Sequence, residues 1–305
     1  MSDIKILVAA HKRAYVPEHP LLFPIQVGSA LSEKRLPGML HDDEGANISE
    51  KNRSYCELTA QYWAWKNLKA DYYGFFHYRR YMSFAKSYPV DQSRRCKLRR
   101  QTPYIEADSL KDDLSAYALN ERQIRSVIEK YDIVTGLSEH MDVTAYEQFC
   151  QFHPKEDLDR AIVILKRRCP MQAKACDDYM NSRHIYFCNM YIMKREYFYE
   201  YMSWLFPILK EFEAGKDFSL CSAKEMRITG YIAERLFGVY YTWLKQQGQA
   251  KCAEVQCVIF HQNIRQFHIG KRGFKIEVDM KKLNRLLPAG TARRRCVRRL
   301  FRKGL

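Results

Sequence analysis

Apolar residues follow two spacings that alternate along the chain. Continuous apolar runs of strand length predict buried β-strands at 4–10, 71–84, 132–136, the start of 184–198 and 255–262. Apolar residues at helical spacing predict helices at 54–68, 109–130, 144–169, the end of 184–198, 200–214 and 229–248. Strands that alternate with helices indicate an α/β fold, in which helices flank a mainly parallel central sheet. We expect a single domain over residues 1–290 and a separate tail over residues 291–305.

Several residues mark the expected ends and breaks of these helices. Ser54, with Glu57 three positions later, has the spacing of a capping box and predicts a helix start. The segment Pro154–Asp157 predicts a break in the long helical stretch around it, and Pro207 predicts a kink further on. Gly248 predicts the end of the last long helix, because glycine readily adopts the left-handed backbone that closes many helices.

The sequence lacks the usual signs of export or membrane insertion. It has no uninterrupted apolar run of about 18 residues, the length that a membrane-spanning helix needs. The run at 4–10 is short and contains a lysine, so it is typical of a first strand rather than of a signal peptide. The ten cysteines are scattered without a C-x-x-C pair, which favours reduced thiols over disulfides or a zinc site. We therefore expect a cytoplasmic protein.

The charge balance points to an anionic partner. Lysine and arginine number 51 against 35 acidic residues, which gives a net charge of +16. The excess is concentrated in SRRCKLRR (93–100) and in the tail TARRRCVRRLFRKGL (291–305), which contains no acid. Nucleic acid, acidic lipid and phosphorylated small molecules all fit such a balance, and composition does not choose among them.

Polar residues follow three predicted strands at the points where ligands bind in open α/β sheets. His11 and Lys12 follow the first strand, the HYRR run from His77 to Arg80 follows the second, and Asn189 lies in a later one. The HYRR run favours a phosphate or diphosphate site, because arginine side chains bind phosphate oxygens bidentately, although adjacent arginines also occur as a solvated surface. Rossmann, P-loop, nucleophile-elbow and HExxH motifs do not occur in the sequence.

Several of these segments carry a family resemblance. The run DDEGANISEKNRSYCELTAQYWAWKNLKADYYGFFHYRRYMSF, together with HK at 11–12, CNMYIM at 188–193 and AERL at 233–236, resembles domain-of-unknown-function family 4422. That family occurs in capsular and exopolysaccharide biosynthesis and is regarded as glycosyltransferases. The similarity extends in order over about residues 4–262. Arg53 replaces the family's usual proline, Met82 replaces a phenylalanine, and CNMYIM departs from YNMFIM.

The resemblance implies a nucleotide-sugar glycosyltransferase of GT-A-like architecture over residues 1–290. Such enzymes usually hold a divalent metal on a D-x-D motif at a strand end, but the comparable strand end here reads HYRR. Arg79 and Arg80 would then neutralise the leaving diphosphate in the metal's place. We therefore expect no cofactor and no metal ligands, although Asp42 and Asp43 could still supply a metal site.

The interpretation as a glycosyltransferase suggests roles for individual residues. Transfer needs a base for the acceptor hydroxyl, and Glu234 is the first candidate and Asp43 the second. A salt-bridged surface position beside Arg235 is the alternative for Glu234. The candidates for donor binding are His11, Lys12, Asn47, Ser49, Asn52, His77, Arg79 and Arg80. The candidates for acceptor or sugar binding are Asn189 and Arg235.

The tail has one basic and one apolar face if it is helical, which is typical of segments that lie on anionic membranes. This favours a cytoplasmic enzyme, peripheral at the inner face of the plasma membrane, that transfers a hexosyl group to a lipid-linked glycan in capsule, exopolysaccharide or O-antigen synthesis. Galactofuranosyl is one candidate group. A disordered tail is the alternative. For the whole protein, the alternatives are a basic nucleic-acid-binding protein and an inactive carbohydrate-binding relative.

Overall fold

A mainly parallel sheet organises the part of the chain that the computed structural model describes. That part comprises residues 1–85, 103–107, 109–111, 113–219 and 221–261, with the backbone of 264–269 and 274–279. The basic insert at 93–100, the boundary at residue 290 and the tail at 291–305 lie outside the described residues, so these remain predictions.

The long path of the central sheet contains seven strands. Their spatial order is β11 (Cys252–Val255), β7 (Ile133–Gly136), β10 (Tyr191–Lys194), β4 (Tyr72–His77), β1 (Ile4–Ala10), β2 (Leu22–Gln26) and β3 (Leu40–His41). Neighbours along this path are parallel except at β10, which runs antiparallel to both β4 and β7. The predicted mainly parallel sheet is confirmed.

Shorter strands extend this sheet or pair beside it. Three extend the sheet, and their bounds are β5 (Arg80–Met82), β6 (Tyr104–Ala107) and β12 (Cys257–Phe260). Four form two small antiparallel sheets, β8 (Glu139–His140) with β9 (His184–Ile185), and β13 (Ile264–Ile269) with β14 (Phe274–Asp279). The late strand expected over 255–262 corresponds to β12, whereas β11 precedes it and pairs in a different part of the sheet.

The helices lie in the chain segments that connect the strands, and they flank the sheet. Their bounds are α1 (Asn52–Tyr55), α2 (Leu58–Asn67), α3 (Glu121–Ile128), α4 (Ala145–Cys150), α5 (Lys155–Arg168), α6 (Ala173–Met180), α7 (Arg195–Ala214) and α8 (Ile228–Gln247). Short 3₁₀ turns occupy Ser29–Leu31, Ser49–Lys51, Ser115–Tyr117, Pro170–Gln172 and Glu225–Arg227. Among the described residues, no helix combines the length and apolarity that crossing a membrane requires.

The central strands are buried on both faces, which explains their continuous apolar sequences. Alternate residues of a strand point to opposite faces, so Ile6 and Phe76 join one apolar layer while Leu7 and Phe75 join the other. Gly74 lies between Ile6 and the neighbouring β10, and a side chain there would press on the Ile6 side chain at 2.8 Å. Two layers of side chains thus fix the strands whose ends carry the polar residues.

Two predicted helix boundaries are confirmed and one is wrong. Pro154 immediately precedes α5, and Gly248 ends α8 with a φ of 65°. The predicted capping box at Ser54 does not exist, because Ser54 lies inside α1 and its hydroxyl bonds that of Thr229 at 2.6 Å. Cys56 instead interrupts the helix, with a φ of 53°. Contacts with residues far away in the sequence therefore determine the local structure of this segment.

Candidate active site

Three strand ends that carry polar residues meet at one edge of the sheet. β1 and β4 are parallel, with Ala9 opposite His77, so both end at the same edge. β10 is antiparallel to β4 and therefore begins there. The segment before β10 reaches the end of β4, because the His77 Nε2 lies 2.8 Å from the carbonyl oxygen of Cys188. That carbonyl can only accept, so His77 donates from Nε2.

A basic rim, formed by His11, Lys12, Arg79 and Arg227, lies at this edge. Three of these residues contact the Tyr78 ring. The His11 ring packs edge-on against it, with 5.5 Å between the ring centres. The Lys12 Nζ lies 5.7 Å from the centre of the Tyr78 ring, and the Arg79 Cζ lies 5.1 Å from it. Desolvation lowers the pKa of His11, and the nearby charges of Lys12, Arg79 and Arg227 lower it further. The rim therefore brings three positive charges close to the His11 imidazole.

The two adjacent arginines separate because β4 turns directly into β5. His77 pairs with Arg80 across this hairpin, which leaves Arg79 exposed at the turn and Arg80 half-buried in the strand. Burial is the main cause that lowers the pKa of His77 and raises that of Glu234, and the positive charge of Arg80 pulls both pKa values down. Arg80 therefore supplies positive charge near Glu234, whereas Arg79 belongs to the basic rim.

The segment between these strands is strained at Cys188. Cys188 has a φ of 78°, which residues with a Cβ rarely adopt, and Asn189 follows with a φ of 47°, which asparagine tolerates better than most residues. Gln61 donates to the Asn189 carbonyl at 3.0 Å, and Glu234 accepts from the Cys188 amide at 2.9 Å. A residue such as Cys188 in this conformation costs about 1–3 kcal/mol, so the surrounding hydrogen bonds must hold the segment in place. Strain of this kind concentrates at functional sites.

Glu234 is a half-buried carboxylate at the centre of the arrangement. It lies on α8 and points toward the strained segment, where it accepts the Cys188 amide. Burial is the main cause that raises its pKa to about 7, and the carboxylate of Glu57 adds to the rise, while Arg235, the Cys188 amide and Arg80 oppose it. A carboxylate with this pKa exchanges protons near neutral pH, as a general base must.

Glu57 is a second carboxylate near the strained segment, and the sequence pattern predicted for it only a role in a helix cap. It follows the break at Cys56 and accepts a hydrogen bond from the Asn189 Nδ2 at 2.8 Å. Asn189 is buried, and its Oδ1 has no partner among the described residues. The signal that could have identified Glu57 was its position in the CELTA phrase.

A cavity of about 240 Å³ opens beside Glu234. Its aromatic and imidazole lining comes from Phe149, Phe152, His153, Phe187 and Tyr231. Its polar lining comes from Gln148, Lys224, Glu234 and Arg235. Arg227 connects this cavity to the basic rim, because its guanidinium lies over the Tyr231 ring at 5.5 Å. Glu234 therefore faces both the cavity and the sheet edge.

The loop that supplies the remaining predicted residues is organised around a buried aspartate. Asp42 is fully buried and accepts from the backbone amides of Gly28 and Ser29 and from the hydroxyls of Ser49 and Thr59. These four hydrogen bonds hold the loop against β2 and α2. Ser49 is also fully buried, so its hydroxyl serves this network.

The other candidates in this loop also have local partners. Asp43 forms an ion pair with Arg35 at 2.9 Å. Asn47 donates to two carbonyl oxygens of its own loop, including that of Asp43 at 2.9 Å. Asn52 donates to the Cys56 carbonyl at 2.7 Å. Catalysis by Asp43 and donor binding by Asn47, Ser49 and Asn52 remain predictions, and no contact places these residues beside Glu234.

The described residues do not fit a divalent metal. They contain no group of three or more histidine, cysteine, aspartate or glutamate side chains with suitable geometry. Asp42 uses its oxygens in four internal hydrogen bonds, and Asp43 faces a guanidinium. Metal independence remains a prediction.

The structure thus brings together part of the predicted site. His77, Arg80, Asn189, Glu234 and Arg235 meet around the strained segment and the cavity, with His11, Lys12 and Arg79 on the rim. The fold adds several residues that the sequence patterns did not indicate for the site, namely Glu57, Gln61, Gln148, His153, Lys224 and Arg227.

The fold and site define an α/β protein whose basic and carboxylate side chains gather at the edge of a mainly parallel sheet where open α/β folds generally bind ligands. The chain belongs to the family described as domain of unknown function (DUF4422), which matches residues 5–247. It is also similar to the solved apo structure of the bifunctional glycosyltransferase WbbM, with 31% identity and a TM-score of 0.77. That similarity covers 85% of this chain and 45% of the WbbM chain, so this chain spans less than half of that protein. No curated protein matches the sequence.

Proposed function

We propose that the protein is a glycosyltransferase that moves a hexosyl group from a nucleotide diphosphate sugar to a hydroxyl of a glycan acceptor. The observation that carries the proposal is the position of Glu234 between the basic sheet edge and the cavity. The similarity to a glycosyltransferase supports it. A GT-A-like architecture is part of the same proposal.

The donor diphosphate binds at the basic rim. Arg79, Lys12 and Arg227 supply positive charge there, and Arg79 is exposed enough to reach a ligand. Charge-assisted contacts to phosphate oxygens contribute about 1.5–3 kcal/mol each. These cations stabilise the diphosphate as it takes up the electron pair of the breaking bond to the anomeric carbon.

The acceptor sugar occupies the cavity, with its reacting hydroxyl toward Glu234. The acceptor oxygen forms a bond to the anomeric carbon, the bond from that carbon to the diphosphate breaks, and the hydroxyl proton passes to the Glu234 carboxylate. The aromatic lining suits this role, because sugars present apolar C–H faces to aromatic rings. Cys188 and Asn189 position Glu234 through the Cys188 amide.

The finer parts of the proposal extend to the acceptor and its location. We include a lipid-linked glycan of capsule, exopolysaccharide or O-antigen synthesis, with galactofuranosyl as one candidate group. The basic tail at 291–305 would hold a cytoplasmic enzyme at the inner face of the plasma membrane. The family resemblance and the charge of the tail support these parts.

The test uses detergent-free protein and a panel of nucleotide sugars, with thermal stabilisation and sugar release or transfer as readouts. We expect one donor to raise the melting temperature and to be turned over, and Arg79→Ala to weaken both effects. Arg122→Ala, an exposed arginine on α3, is the matched control.

Two outcomes would replace the proposal. Stabilisation by nucleotide sugars without turnover on any glycan acceptor would indicate an inactive carbohydrate-binding relative. Binding to nucleic acid without any response to nucleotide sugars would indicate a nucleic-acid-binding protein.

A further inference from the structure

Arg235 is a buried cation with unused hydrogen-bonding capacity. It is only 3% exposed, and it forms no ion pair with the described residues. Its Nη2 donates to Gln148 Oε1, whereas Nε and Nη1 have no hydrogen-bond partner within the described part of the chain. A buried charge is costly unless it is paired, so this arrangement is complete only with an additional acceptor.

The walls of the cavity hold the Arg235 guanidinium in place. It lies 5.8 Å from the Phe149 ring centre and 5.3 Å from that of Phe187. These cation–π contacts hold the guanidinium close to both rings but provide no hydrogen-bond acceptors. The side chain is therefore positioned in advance for a ligand that brings its own acceptors.

The surroundings of Arg235 favour a negatively charged ligand. Lys224 lies at the mouth of the cavity, where its Nζ is 5.9 Å from the Phe152 ring centre. His153 stacks on Tyr231 at 4.2 Å. Desolvation lowers the pKa of His153 to about 4, and the charges of Lys224 and Arg235 contribute to that shift. The imidazole is therefore neutral near pH 7, and two cations face the cavity.

We propose that the cavity binds an acceptor sugar that carries an anionic group, a carboxylate or a phosphate, through the Arg235 guanidinium. The proposal deepens the proposed function and rests on it for the word acceptor. Glu234 does not prevent it, because consecutive helical residues point about 100° apart, so the anionic group and the reacting hydroxyl face different walls. At about 240 Å³, the cavity is smaller than the roughly 300–1,000 Å³ of pockets that enclose drug-sized ligands, so it takes one sugar unit.

Isothermal titration calorimetry without any donor tests the proposal directly. The probes are a methyl uronide, a hexose 6-phosphate and the neutral methyl hexoside. We expect one anionic sugar to bind at least about tenfold tighter than the neutral sugar, because charge-assisted bonds to arginine are lost with the neutral probe. The better of the two anionic probes identifies the source of the charge.

Variants locate the binding site. Arg235→Gln should remove the preference for the anionic sugar, and Lys224→Ala should weaken it about two- to fivefold. Lys224 is exposed, so its variant carries the test if Arg235→Gln does not fold. Lys210→Ala, exposed on α7 and outside the cavity, is the matched control and should leave the preference unchanged.

Several results would overturn the proposal. Equal affinity for anionic and neutral sugars would do so, as would no binding of either anionic probe at millimolar concentration. Loss of the preference in Arg79→Ala, with retention in the Arg235 and Lys224 variants, would place the anion at the basic rim instead. If the anionic sugar binds through Arg235 while no nucleotide sugar is used, the cavity site stands and the proposed function fails.

Discussion

Replacement of Glu234 by glutamine separates the proposed catalytic role of this residue from its effect on stability. The pKa of Glu234 is raised by burial to about 7 from the ordinary value of 4.5. Transfer should therefore rise with pH up to about pH 7 and level off above it, because only the ionised carboxylate accepts a proton. Glu234→Gln keeps the shape but not the basicity, so we expect transfer to fall about 10²–10⁴-fold.

The same pKa shift predicts the opposite effect on stability. The folded protein binds this proton more tightly than the unfolded chain, so the stability from this group is complete below pH 4.5 and declines as pH rises toward 7. The rise of this pKa from 4.5 to about 7 corresponds to at most roughly 3–4 kcal/mol. Glu234→Gln should therefore be more stable than the wild type at pH 8, by up to about that amount, and similar to it near pH 4.5.

Urea unfolding at pH 5 and pH 8 and the pH profile of kcat/KM measure these effects together. Glu196→Gln is the matched control, since this exposed glutamate follows β10 at the opposite edge of the sheet. The reasoning would be refuted by a flat activity profile between pH 5.5 and 8.5 together with substantial activity in Glu234→Gln.

The remaining predictions concern the arginines, the metal, the tail and one helix contact. Arg79→Ala should weaken donor binding about tenfold without moving the pH profile of transfer. Arg80→Ala should move that profile to higher pH, because the positive charge of Arg80 opposes the rise in the pKa of Glu234. Identical pH profiles for the two variants would contradict this. Transfer should persist in excess EDTA, and loss of activity that manganese or magnesium restores would show that a metal is required. Deletion of 291–305 should abolish co-sedimentation with anionic vesicles at low salt, and equal sedimentation of both forms would count against a membrane-binding tail. Gly238→Ala should lower the free energy of unfolding by about 1–3 kcal/mol in urea titrations, because the added Cβ would overlap the buried Tyr179 ring. A stabilised variant would contradict that packing.

Local sequence patterns were sufficient for the sheet and for the polar ends of its strands. Continuous apolar runs at 4–10 and 71–84 report burial on both faces, which only an interior strand has. The chemistry that follows each run must then lie at a strand end. The sequence alone could therefore place His11 and His77 at strand ends. The structure adds that β1 and β4 are parallel neighbours, so both ends lie at the same edge of the sheet.

Local sequence patterns did not predict the contacts of residues whose partners are distant in the chain. Ser54 has the spacing of a helix cap, but its hydroxyl bonds Thr229, which lies 175 positions away. Asp42 lies in a polar, turn-rich segment that resembles a surface loop, yet it is fully buried among amides and hydroxyls. The roles of such residues depend on donors and acceptors that other segments bring to them.

The site itself was decided by tertiary structure. The HYRR run suggests one pair of arginines, but the hairpin between β4 and β5 directs Arg79 to the basic rim and Arg80 to Glu234. The cavity exists only because α4, α8 and the segment before β10 converge. The sequence by itself determined which chemical groups stand at the strand ends, since hydrophobic spacing reports how each residue is buried. Their grouping into a basic rim, a carboxylate centre and a cavity required the tertiary fold, because spacing along the chain carries no information about which distant side chains come into contact.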